Sequence, residues 1–193
     1  IISNANTVIT RVNNSTLDEA EKNLFLGKAR FFRAFAYRYL VHLYGGVPII
    51  REEITGPTLD FTRSSSTEVL QFMRDDLEYA SLNLPLENPG DGRLSKAAAD
   101  HVLAETLIAL GEYDGAISAA SNVIDDPQYE LMRERFGNHT NMDGDAYWDL
   151  FRLGNQNRSS GNTESIWVWQ LEFGILGGEG NHEFTRAWRP FTE

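Results

Sequence analysis

The chain has 193 residues, 41 % hydrophobic and 23 % charged, the composition of a globular protein with length for one sizeable core. Its net charge of −11 argues against a nucleic-acid surface, because binding phosphates takes clustered Lys and Arg. There is no cysteine, which excludes disulfides, thiolate metal sites and a Cys nucleophile in these residues, and no run of about 18 apolar residues is present to span a bilayer as a helix.

The opening IISNANTVITRV lacks the basic and apolar regions of a signal peptide and has no initiator Met, so the expectation is a processed or excised piece. Ile1 or Ile2, Ala5, Val8 or Ile9 and Val12 recur at helical spacing, and NNST breaks that helix. Thr16 to Glu19 reads as a capping box opening a long helix to Tyr44. Its apolar row is Phe25, Ala29, Phe32, Ala36, Tyr39 and Leu43, flanked by Phe31 and Phe35, while Lys28, Arg33, Arg38 and His42 are expected on polar faces. Gly45 and Gly46 close the helix, and Pro48 prevents its resumption.

After a loop, Ser65 to Glu68 is a second capping box. It starts a helix to about Leu84 with Val69, Met73, Leu77, Ala80 and Leu84 inward, and Pro85 ends it. Helices from about Ser95 to Leu110 and from Tyr113 to Ile124 are joined only by Gly111 and Glu112, which makes them antiparallel neighbours. In this pair Leu103 and Leu107 face inward, Tyr113 packs over the Gly111 turn, and Ala116 and Ala120 allow close approach, as in a tetratricopeptide unit. Such a hairpin cannot bury its apolar face alone and stacks on others. From Asp126 on, glycine, asparagine and aromatics dominate, and SIWVWQLEF, Ser165 to Phe173, is the strand candidate.

The block FLGKARFFRAFAYRYLVHLYGGVPII resembles the segment that marks the SusD/RagB family of outer-membrane nutrient-binding lipoproteins of Bacteroidota: an Arg-aromatic-Arg-Ala-aromatic-aromatic helix, then Tyr-Gly-x-Val-Pro. Further blocks are similar in the same order: TRSSSTEVLQFMRDDLEYASLNLP, then GRLSKAAADHVLAETLIALGEYDGAISAASNVID, YELM and TESIWVWQLEF, with SNANTVI upstream. The stretch from Leu131 to Asp149 departs from the pattern as a longer loop. The resemblance implies a mainly α fold of tetratricopeptide-like hairpins forming a solenoid-like scaffold, with irregular loops and a small strand-bearing portion. It implies one domain over 1–193, incomplete at both ends, with a helical scaffold at 16–127 (hairpin 95–127) and a loop-rich ligand side at 128–193. It also implies a lipid-anchored protein on the extracellular face of the outer membrane, without catalytic activity. Such a protein captures glycan, less often peptide, for a partner SusC-like TonB-dependent transporter.

Site residues are sought where aromatic rings meet polar loops, because sugar C–H faces stack on rings while hydroxyls need polar partners. Trp188, with Arg189 and Asn181, and the pair Tyr147 and Trp148 meet that description. Trp167 and Trp169, on one face of the strand candidate, and the aromatics of the long helix are expected in the core. Asn141, Asp143 and Asp145 have the oxygen spacing of a calcium loop, but no bidentate Glu stands at the twelfth position; a solvated turn is the reading, and no cofactor is expected. The four histidines show no zinc spacing, and no nucleophile elbow, phosphate loop or glycosidase carboxylate pair stands out. The competing reading is a tetratricopeptide adaptor binding peptide or protein, which predicts more repeats and fewer Trp-bearing loops.

Overall fold

In the computed structural model the structure describes residues 1–170. Five helices carry the scaffold: α1 (Ile2–Asn13), α2 (Glu19–Tyr44), α3 (Ser66–Asn83), α4 (Lys96–Leu110) and α5 (Tyr113–Ile124). Each packs on the next in chain order, the stacking a solenoid requires. A short α6 (Ala146–Leu150) and two single 3₁₀ turns, Gly137–His139 and Arg158–Ser160, sit in the irregular region that follows. Among the described residues no strand forms; the part of the strand candidate up to Gln170 is irregular, and the rest of it lies outside them. No helix of the described residues is long and apolar enough to cross a membrane.

The helix ends follow local chemistry, with one correction. Ser65 and Glu68 form the expected box: the Ser65 hydroxyl accepts from the Glu68 amide and the Glu68 carboxylate accepts from the Ser65 amide. At α2 the cap is Asp18, not Thr16; its carboxylate accepts from the Glu21 amide at 2.9 Å. The same spacing recurs two residues on, and an ionised cap also meets the positive end of the helix. Gly45 closes α2 with φ at 69°, a region costly for side chains. Gly46 is needed for a different reason: a Cβ there would lie 2.1 Å from the Ser64 carbonyl oxygen, where the returning loop passes.

The row read for α3 is buried throughout. The row read for α2 is not. Phe25, Tyr39 and Leu43 are exposed, while Leu26, Phe31, Arg33, Ala34, Tyr37 and Val41 are buried. The helix is rotated because its inward face carries a charge that apolar counting rejects. Arg33 donates from Nε and Nη2 to the two carboxylate oxygens of buried Asp76 on α3, at 2.7 and 2.8 Å. Its Nη1 donates to Asn6 Oδ1 on α1 at 2.8 Å and to the Arg51 carbonyl at 3.0 Å. Asn6 in turn donates to the carbonyls of Ile50 and Glu52. Three helices and the loop after α2 thus meet at one guanidinium that makes four hydrogen bonds, the partners a buried charge needs.

The α4–α5 hairpin forms as read. Gly111 is left-handed at φ 77°, and Leu103, Leu107 and Ala116 are buried. Tyr113, expected over the turn, is exposed instead. Trp167 returns to the scaffold, its ring edge-on to Phe31, Phe32 and Phe35 at 5.6 to 6.1 Å between centroids. Its indole N–H donates to the Gly92 carbonyl. This is the core role read for it; Trp169, 5.6 Å from Trp167, is exposed.

Candidate functional site

The region after α5 has little apolar core and is ordered by polar side chains. Asp149, at the end of α6, is fully buried. It accepts from Arg135 Nε at 2.6 Å and Nη2 at 3.1 Å, and from the Phe136 amide at 3.1 Å. Arg135 also donates to the carbonyls of His139, Met142 and Gly144. Asn155, buried beside them, donates to the carbonyls of Phe136 and Asp149 and accepts from the Asn138 amide. Asn162 donates to the Asn155 carbonyl and accepts from the Ser165 amide. Gly137 lies so close to Asn155 that a Cβ would meet its amide at 2.1 Å. These partners close the loops around 135–162 into a fixed platform.

The hydrogen bond from Arg135, then that from the Phe136 amide, holds the Asp149 carboxyl below the usual carboxylate range, against the opposing effect of desolvation. Because the folded value is lowered, this stabilisation is present above the unfolded value of about 3.9 and is lost as pH falls through the folded one. The stability difference between the wild type and Asp149→Asn is therefore expected to narrow as pH drops from about 6 to about 3. Thermal melts at stepped pH check it; a constant difference would mean that Asp149 titrates normally.

α6 stands on this platform with Asp145 as its cap, accepting from the Trp148 amide at 2.7 Å. Tyr147 and Phe151, one turn apart, are 70 % and 67 % exposed, with ring centroids 5.1 Å apart. Trp148 is half-buried against the loop, with the His139 ring edge-on at 6.1 Å. Gly144 lies against its ring, and the Arg152 guanidinium lies 3.9 Å from its centroid. Together these residues line an open groove of about 510 Å³. The structure thus places Tyr147 and Trp148 side by side and adds Phe151 and Arg152; Trp188, Arg189 and Asn181 lie outside the described residues. Phe151 and Arg152 follow Tyr147 and Trp148 by one helical turn, so an i, i+4 reading of AYWDLFR would have found them.

The oxygen-rich NMDGD loop is partly engaged within the protein. Met142 and Gly144 give their carbonyls to Arg135, and Asp145 caps α6. Among the described residues no cluster of His, Asp or Glu is placed to hold a metal. A Ser–Lys contact exists on the scaffold, Lys96 Nζ donating to Ser81 Oγ at 2.6 Å. Lys96 also pairs with Asp100 at 3.1 Å, and the Ser81 hydroxyl donates to the same carboxylate, so the three tie α3 to α4.

Residues 1–107 match the model of a SusD-like family described as starch-binding and associating with the outer membrane. The chain belongs to the SusD-like family. A SusD-like protein of Bacteroides ovatus is 30 % identical over 185 residues, covering 87 % of this chain and 31 % of that protein. The crystal structure of a SusD-like protein from Bacteroides fragilis superposes with a TM-score of 0.74 at 25 % identity, over 90 % of this chain and 32 % of that one. A crystal structure with xylogluco-oligosaccharide gives a TM-score of 0.73 at 26 % identity, over 92 % and 35 %. The chain therefore spans about a third of the length of the SusD-like relatives that it matches. The mainly helical, tetratricopeptide-like architecture read from the sequence is that of the family.

Proposed function

We propose that this SusD-like chain is part of a non-catalytic, lipid-anchored protein on the extracellular face of the outer membrane. It captures oligosaccharide and passes it to a partner TonB-dependent transporter. The helices within 16–127 are the scaffold, and 128–193 is the ligand side of the same domain. The observation that carries the reading is the open aromatic pair Tyr147 and Phe151 beside Trp148, on a short helix tied down by the hydrogen bonds of Asp149 and Asn155. Rings fixed before binding stack on sugar faces without an added ordering cost. The family description and the relative crystallised with xylogluco-oligosaccharide support a glycan as the ligand.

Affinity electrophoresis of the full-length protein against a polysaccharide panel tests this. Retardation by at least one glycan is expected, and Tyr147→Ala should weaken it roughly fivefold, the equivalent of about 1 kcal/mol for one aromatic face. Trp188→Ala in the same gels tests Trp188 as a further contact. Migration unaffected by every glycan would remove the carbohydrate reading. Failure to co-purify a transporter from detergent-solubilised outer membranes would remove the handover.

A further inference from the structure

We propose that the Tyr147–Phe151–Arg152 surface receives a carboxylate-bearing sugar, a uronic acid residue, with Arg152 as its anionic contact; this rests on the glycan reading above and narrows it.

The Nε of Arg152 is buried with no hydrogen-bond partner, and its side chain makes no hydrogen bond or ion pair among the described residues. Arg30, stacked on Tyr79, also has an unpartnered Nε, but it lies 4.0 Å from the Asp76 carboxylate and does not line the groove; most other guanidiniums are committed. Arg33 holds Asp76, Arg38 holds Glu105, Arg74 holds Glu112, and Arg158 holds the carbonyls of Thr163 and Ser165. Arg135, whose guanidinium is 5.6 Å from the same Trp148 ring, has Asp149 and three carbonyls. Among the described residues Arg152 is held by the indole alone, 3.9 Å from its centroid. Stacking orients the planar group and leaves its donors to whatever enters the groove.

A guanidinium presents two parallel N–H groups in a fork that fits both oxygens of a carboxylate. A neutral sugar hydroxyl satisfies one of them. The neighbouring rings of Tyr147 and Phe151 meet the apolar face of the same pyranose or the next. The acidic groups nearby do not cancel this. Asp149 is spent on Arg135, Asp145 caps α6, and Asp143 is exposed to solvent. The net charge of −11 acts over long range and is largely screened beyond about 8 Å at physiological salt. The contact therefore suits an acidic residue met at close range.

Calorimetry on the full-length protein decides it. The probes are oligogalacturonate, oligomannuronate and a glucuronate-bearing oligosaccharide, each compared with its carboxyl-reduced form. At least one acid form should bind, and its reduced form should bind about ten- to a hundredfold more weakly, as expected for loss of a charge-assisted pair. Arg152→Gln should weaken the acid form alike and affect the reduced form far less, so that the gap between the two forms largely closes. Using a modified ligand keeps the protein intact, so a folding defect in the variant cannot mimic the result. Equal affinity for acid and reduced forms, or binding of neutral glycans only, overturns the acidic-sugar inference and leaves the glycan reading standing. Binding of no glycan, acidic or neutral, overturns both.

Discussion

Replacing Arg33 with methionine is expected to destabilise the fold by about 3–5 kcal/mol, because it strands a buried carboxylate and frees two other acceptors at once. Asp76 loses both of its close hydrogen bonds, and the carbonyl of Arg51 and the amide oxygen of Asn6 lose theirs. Burial already pushes the Asp76 carboxyl up, and Arg33 is its main opposing partner. Arg30, 4.0 Å away, is too distant to take over in place. The double variant Arg33→Met, Asp76→Leu removes the charge as well as its partner and should recover most of the loss. Urea denaturation of the two variants checks this. A single-variant cost below about 1 kcal/mol would mean that water or Arg30 reaches Asp76.

The rotation of α2 gives the second large effect. Phe31 is fully buried against Phe32, Phe35 and Trp167, whereas Leu43 is 69 % exposed. Phe31→Ala should cost about 3–5 kcal/mol. Leu43→Ala should stay within about 0.5 kcal/mol. The alternative rotation, with Leu43 on the inward row, predicts comparable costs for the two. Denaturation midpoints of the two variants, measured side by side, separate the rotations.

That contrast also locates what the sequence can and cannot reveal. α3 was readable because its inward row is almost wholly apolar, and the α4–α5 hairpin because one glycine leaves the chain no other course. α2 was placed but turned the wrong way. Aromatics occur around most of its circumference, so counting them cannot choose a face. The deciding residue, Arg33, has its acceptor 43 positions later in α3. The cap at Asp18 rather than Thr16 is the same problem in miniature: two competent side chains stand two residues apart, and only the helix axis decides between them.

The platform under the candidate site was illegible for a further reason. Arg135, Asp149, Asn155 and Asn162 are spaced without period, and none differs in type from a solvated loop residue. Tyr147 and Trp148 could be nominated because rings in a polar stretch need an explanation. Nothing in the linear pattern said that Tyr147 would be open while Trp148 is half covered, or that Arg152 would have no acceptor among the described residues.

The guanidinium of Arg135 gathers three main-chain carbonyls and one carboxylate, much as a divalent ion organises an oxygen-rich loop. A tethered cation of this kind cannot dissociate. Its local concentration is set by the polypeptide and not by the medium, so the carbonyls of His139, Met142 and Gly144 keep their partner whatever the ionic supply. The arrangement also demands arginine: a lysine ammonium has three donors on one atom and cannot reach four acceptors spread around a plane. The loop thus holds its aromatic rings ready through any change of ionic surroundings that leaves Asp149 ionised.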